Sequence, residues 1–97
     1  DMLELRYNEL DYMIKTQTKQ DIKQSIDLKK LLEQRVTFLN SVYPHIEFHL
    51  ELDNTLIYSD KIGLSKVIDN IIDNGVKYSP NSNIINIQLK NHSLQIQ

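Results

Sequence analysis

Asp60-Lys61-Ile62-Gly63-Leu64-Ser65-Lys66-Val67-Ile68-Asp69-Asn70-Ile71-Ile72-Asp73-Asn74-Gly75-Val76-Lys77-Tyr78-Ser79-Pro80 is the stretch that decides how this chain folds. An α-helix turns by about 100° per residue. On that wheel Leu64, Val67, Ile68, Ile71, Ile72, Gly75 and Val76 share one broad arc, so the segment predicts a helix that buries a wide apolar face. Ser59-Asp60 supplies its start, and Pro80 with Asn81, Ser82 and Asn83 ends it in a loop near Tyr78. Asn70, Asn74 and Lys77 gather on a neighbouring arc only about 60° wide. Tyr78 lies one turn beyond Asn74, at the border of the two arcs.

Working outward, Leu94 to Gln97 and Ile84 to Lys90 read as two strands turning at Asn91-His92. On the other side, Ile46-Glu-Phe48-His-Leu50-Glu-Leu52 alternates with period two. That is a half-buried strand with Ile46, Phe48, Leu50 and Leu52 inward and Glu47, His49 and Glu51 outward. Asp53-Asn54 is turn chemistry, and Leu56-Ile57-Tyr58 is a short second strand. Asp27 caps a further helix through Leu28, Leu31, Leu32, Val36 and Leu39, which breaks near Tyr43-Pro44. Residues 1 to about 25 carry Leu3, Tyr7, Leu10, Met13, Ile14, Thr18 and Ile22 mostly at spacings of three and four. They predict a first amphipathic helix whose other side, with Glu4, Glu9, Asp11, Lys15 and Lys19, faces water. The order helix, helix, strand, strand, helix, strand, strand predicts an α+β fold with helices on one face of a mixed sheet.

Composition removes several function classes. The 97 residues make one small domain, and thirteen Ile and thirteen Leu supply most of its core. A net charge of −2, with no positive stripe along any helix, argues against nucleic-acid binding, which needs clustered Lys and Arg. The absence of Cys excludes disulfides, thiol chemistry and Cys-based zinc sites. Two glycines cannot build a glycine-rich phosphate loop, and no apolar run approaches the length of a membrane span. These features predict a soluble, intracellular piece of a longer protein.

The polar arc of the Asp60–Tyr78 helix is where chemistry can be sought. An amide oxygen is a hard ligand for Mg²⁺, which accepts one or two protein oxygens and completes its shell with phosphate and water. Lys77 can meet a phosphate as a point charge, and Tyr78 offers a ring to a base or ribose. A solvated polar stripe beside a core stripe is also what surface helices in general show, so geometry alone leaves both readings open.

The residues themselves go further. The stretch from Asp60 to Pro80 resembles the N box of bacterial sensor histidine kinases, an Asp, a short gap, Leu, and then Asn-Leu-Leu-x-Asn-Ala-x-Lys-Tyr-Ser/Thr. An Asp-Leu-x-x-Leu-Leu helix (Asp27 to Leu32) and an alternating strand precede it, and a strand pair follows, as in that family. The resemblance covers about residues 26 to 97. It implies an incomplete Bergerat-type ATP-binding fold over 26–97, preceded by a long helix over 1–25 that ends a dimerisation and phosphotransfer hairpin. It implies ATP and Mg²⁺ as cofactors, with Asn74 the metal-coordinating amide. Asn70 would line the phosphate and metal site, Lys77 would contact phosphate, and Tyr78 would lie against the nucleotide. Related ATPases that hydrolyse ATP with water carry Glu where this chain has Asn70. An amide cannot act as a general base, which suits a kinase that shields its ATP from water.

The departures from the family are Gly75 in place of Ala and the absence of three motifs. The Asp-x-Gly-x-Gly that reads adenine, the glycine boxes of the lid and a His-Glu phosphoacceptor pair do not occur in this sequence. His45, His49 and His92 read as surface histidines, so no catalytic residue is assigned. The parent is expected to be a cytoplasmic portion of a membrane-anchored kinase that autophosphorylates on a histidine and passes the phosphoryl group to a response regulator. The piece alone is expected to be inactive, with an uncovered Leu94–Gln97 edge and an uncovered side of the apolar helix inviting a homodimer or segment exchange. The alternative is a non-catalytic dimerisation module on a decayed ATPase fold.

Overall fold

A computed structural model describes residues 3–6, 9, 10, 12, 13, 23–78, 83–91 and 93–97. Strand β1 (Leu3–Arg6) and strand β2 (Gln24–Asp27) are followed by helix α1 (Leu28–Val42) and strands β3 (Glu47–Leu52) and β4 (Leu56–Ser59). Helix α2 (Lys61–Lys77) and strands β5 (Ile84–Lys90) and β6 (Ser93–Ile96) complete the order. A four-stranded mixed sheet runs β1-β6-β5-β3, and β2 pairs with β4 in a separate two-stranded sheet. β3 and β5 are parallel, and the other pairs are antiparallel. The chain is therefore α+β, as its pattern predicts.

The core forms where the two periodicities meet. Ile85, Ile87 and Leu89 alternate inward on β5, and the register sets Ile87 opposite Ile96 and Leu89 opposite Leu94. Onto that face α1 contributes Leu28, Leu31, Leu32, Val36 and Leu39, and α2 contributes Leu64, Val67, Ile68, Ile71 and Ile72. The opposite face of the sheet is a polar ladder. Glu51, Gln88, Gln95 and Glu4 stand side by side across all four strands. Gln88 donates to Glu51 and Gln95 donates to Glu4, each over 2.9 Å. One wet face and one packed face make this a two-layer sandwich.

Both helices start where their caps dictate. Asp27 accepts from the Lys30 N–H (3.1 Å) and Asp60 from the Ile62 and Gly63 N–H groups (3.0 and 3.2 Å), satisfying donors that the first helical turn leaves open. The β5–β6 turn puts Asn91 at φ 51°, a left-handed conformation that Asn tolerates better than most residues.

Three expectations give way. The helix over 1–25 is replaced at its two ends: Leu3–Arg6 is a strand on β6 and Gln24–Asp27 a strand on β4, while Glu9, Leu10, Tyr12 and Met13 are helical. The remainder of that helix, with Tyr7, Ile14, Thr18 and Ile22, lies outside the described residues, as do His92 and the loop residues 79–82. The Leu94–Gln97 edge is not open, because β1 pairs with it, and the apolar face of α2 is buried. Finally, Leu50 points to the packed face but stays 39% exposed, since β3 is an edge strand with a neighbour on one side only.

Candidate functional site

Helix α2 positions every residue that the sequence singles out. Its apolar arc is locked into the core, with Leu64, Val67, Ile68 and Ile72 wholly inaccessible. The azimuth of the remaining side chains is thereby fixed. Asn70, Asn74, Lys77 and Tyr78 all lie exposed on the outward side, and the Tyr78 ring is 80% accessible. Tyr78 caps the helix by donating its N–H to the Asn74 carbonyl over 2.9 Å, so this pair is tied through the backbone. The structure thus brings the four residues onto one exposed helix surface. A cleft of about 190 Å³ lies elsewhere, between Ile26, Asp27, Lys30, Leu31, Gln34 and Lys61, and contains none of them. The helix face is the better candidate, because the cleft, although Gln24, Ser25, Lys30, Gln34 and Lys61 line it, holds no aromatic ring and none of the residues that carry the N-box resemblance.

Lys77 is already engaged. Its ammonium lies 2.8 Å from the Asp73 carboxylate, one turn earlier. The hydrogen bond to Asp73, reinforced by that residue's charge, raises the Lys77 pKa above its ordinary value, so it is a cation throughout the neutral range. Asp73 also accepts a hydrogen bond from the Tyr43 hydroxyl at the end of α1. One turn back along α2, Asp69 accepts a bidentate pair from Arg35 of α1, at 2.9 and 2.6 Å. The hydrogen bonds from Asp69 raise the Arg35 pKa, with burial opposing and charge attraction adding to it. Arg35 in turn stacks over the Phe38 ring at 4.9 Å. Two acids at i and i+4 therefore clasp α2 to α1 beside the candidate site.

This clasp is absent from the sequence reading, and its signal there is slight. Asp69 and Asp73 interrupt the apolar run at helical spacing, which marks a flank but names no partner. Asp60, the acid that opens the N-box pattern, is a buried helix cap rather than an exposed ligand: it is 5% accessible, and its second oxygen is inaccessible with no hydrogen bond among the described residues. His45 and His49 are exposed, and His49 pairs with Glu47 at 3.1 Å.

The donor set fits Mg²⁺ delivered with a polyphosphate and does not fit a free-standing metal centre. Among the described residues no three His, Cys, Asp or Glu side chains cluster as a metal cage. The Asn74 carboxamide offers one neutral hard oxygen at an exposed position, matching an ion that takes most of its ligands from phosphate and water. No helix among the described residues is long and apolar enough to cross a membrane.

No family model matches the chain. It is similar to the sensor histidine kinase Hik2 of Synechocystis, with 32% identity over 40 residues, which is 41% of this chain and 9% of that protein. In structure it is similar to the mycobacterial sensor histidine kinase MprB, with a TM-score of 0.64 and 20% identity over 71% of this chain and 46% of that one. The chain thus spans less than half the length of either relative. The second match shows a shared fold and the first a sequence likeness over 40 residues; both of the proteins matched are sensor histidine kinases, the family that the N-box stretch resembles.

Proposed function

We propose that this chain is the N-terminal part of the ATP-binding domain of a sensor histidine kinase, with α2 as the wall against which Mg-ATP lies. The observation that carries the reading is the exposure of Asn70, Asn74, Lys77 and Tyr78 together on the one side of α2 that the core and α1 leave free. In this role the Asn74 carboxamide oxygen enters the shell of the phosphate-bound cation, and Asn70, one turn earlier, holds the same phosphates. Lys77 neutralises phosphate charge and Tyr78 packs its ring on the nucleoside. The metal, when bound, supplies charge neutralisation at the transferring phosphoryl group. Asn70 cannot draw a proton from water, so this wall positions the nucleotide without promoting its hydrolysis.

In the parent protein the γ-phosphoryl group would pass to a histidine beyond this sequence, then to an aspartate of a response regulator, in a cytoplasmic homodimer. Residues 1–25 would follow the dimerisation hairpin, with Leu3–Arg6 and Gln24–Asp27 as strands rather than a continuation of its helix. Positioning and charge neutralisation, rather than an acid or base from this chain, would supply the rate.

Titration of the isotope-labelled chain with millimolar Mg-ATP tests the reading by nuclear magnetic resonance. Shifts confined to Asn70–Tyr78 that require Mg²⁺ and vanish in Asn74→Ala are expected. Absence of shifts along α2 refutes it and leaves the non-catalytic interaction module as the better account.

A further inference from the structure

Beside the outward residues of α2 lies a three-group relay that the proposed nucleotide contacts leave unexplained. Tyr43, at the end of α1, donates its hydroxyl hydrogen bond to one oxygen of Asp73, and the other oxygen holds the Lys77 ammonium at 2.8 Å. Asp73 is half-buried on the α1 side of the helix, so the pair draws Lys77 towards α1 and away from the arc that carries Asn70 and Asn74. A lysine chain has four rotatable carbons and can swing between partners, whereas Asp73 is short and fixed at both oxygens. The geometry has two possible partners for one mobile cation.

We propose that Asp73 is a positioning residue that latches Lys77 in the nucleotide-free chain, and that Tyr43 holds the latch in register with α1. The inference rests on the nucleotide reading of α2 and deepens it. Binding of a polyphosphate requires Lys77 to leave Asp73, so the affinity of the site is set partly by the strength of this pair. Because Tyr43 caps the C-terminal end of α1, a shift of that end relative to α2 changes the hold on Asp73 and through it the availability of Lys77. The Arg35–Asp69 pair fixes the two helices one turn away and serves as the pivot.

The size of the effect follows from the exposure of the pair. Lys77 is 62% accessible, and exposed i,i+4 ion pairs are weak. Releasing Lys77 is expected to tighten binding about two- to fivefold.

The test uses the full chain, with Mg-ATP as the probe and magnetic resonance as the readout. Asp73→Asn should tighten the dissociation constant by that factor and shift the Lys77 side-chain resonances before nucleotide is added. Tyr43→Phe should move both in the same direction by less. In a Lys77→Gln background the gain from Asp73→Asn should largely disappear. An equal gain in both backgrounds overturns the latch, since Asp73 would then act on the phosphates directly through its charge. An unchanged affinity in Asp73→Asn overturns it as well. If Mg-ATP moves no resonance of α2 in any variant, the nucleotide reading itself falls and the latch falls with it. Unchanged backbone spectra outside α1 and α2 would verify that the variants fold.

Discussion

Gly75→Ala should stabilise this chain, and the structure gives both the sign and the size. Gly75 sits in the last turns of α2 with a negative φ, so it has no conformational need to be glycine. A glycine inside a helix is about 1 kcal/mol less favourable than alanine, because its backbone loses more freedom on folding. Space decides whether that gain is realised. A Cβ built on Gly75 meets Ile96 Cγ2 of β6 at 3.8 Å, an ordinary van der Waals contact, so the methyl fills the gap between α2 and the sheet without displacing a neighbour. The expected net is about +1 kcal/mol, which for a domain of this size raises Tm by roughly 4–8 °C. Thermal unfolding followed by circular dichroism at 222 nm reads it directly. Asn74 and its exposed carboxamide are untouched, so the Mg-ATP shifts along α2 should persist. An unchanged or lowered Tm would refute the reasoning, by showing that α2 and β6 pack too closely at this point for a methyl group.

Three further outcomes follow from the same structure. Ile68→Ala removes a wholly buried side chain from the centre of the core and should destabilise by about 3 kcal/mol, measured as a lower urea midpoint with an unchanged slope. Asn91→Val forces a β-branched residue into φ 51° and should lose about 1–2 kcal/mol, whereas Asn91→Gly should lose nothing. For pH, the Lys77 pKa is raised above its ordinary 10.5 in the folded state, so the Lys77–Asp73 pair contributes at neutral pH and is lost only as pH climbs through the folded value. The stability curves of the native chain and Lys77→Met should therefore run apart through neutral pH and converge in the alkaline range; convergence below pH 9 would contradict the assignment.

How far the sequence carries depends on the range of the interaction that decides each element. Helix α2 is legible because its determinants are local: an Asp60 cap, apolar residues at three and four, and a terminating Pro80. The same holds for α1 behind Asp27 and for the hairpin of β5 and β6. Leu3-Glu4-Leu5-Arg6 is not legible, because Leu at i and i+2 followed by further apolar residues fits both a helix and a strand. What decides it is the β6 edge some 90 residues later, where Leu5 pairs with Leu94 and Glu4 with Gln95. The pairing of β2 with β4 is equally non-local, and it places Leu56–Ser59 in its own small sheet rather than beside β3. The outward face of α2 follows from its periodicity, so Asn70, Asn74 and Lys77 stand where the wheel predicts. The clasp by Arg35 and Tyr43 does not follow, since no period on either helix reveals which acid meets which donor.

The division of α2 into three faces has a mechanical consequence for whatever binds there. The apolar arc anchors the helix to the sheet, and the acidic flank holds it to α1 through a bidentate guanidinium and a phenol. Neither rotation nor sliding of α2 is open without breaking one of these sets. Asn70 and Asn74 have short side chains on such a helix, so the backbone fixes where their amides start and a ligand has only two χ angles to order in each. Lys77 has a long chain, and Asp73 competes for its ammonium. Two short amides and one long, movable cation on the same surface mean that orientation and affinity are set by different residues. Removing Asn74 should then abolish the Mg²⁺ dependence of binding, while changing Asp73 should alter its strength and leave that dependence intact.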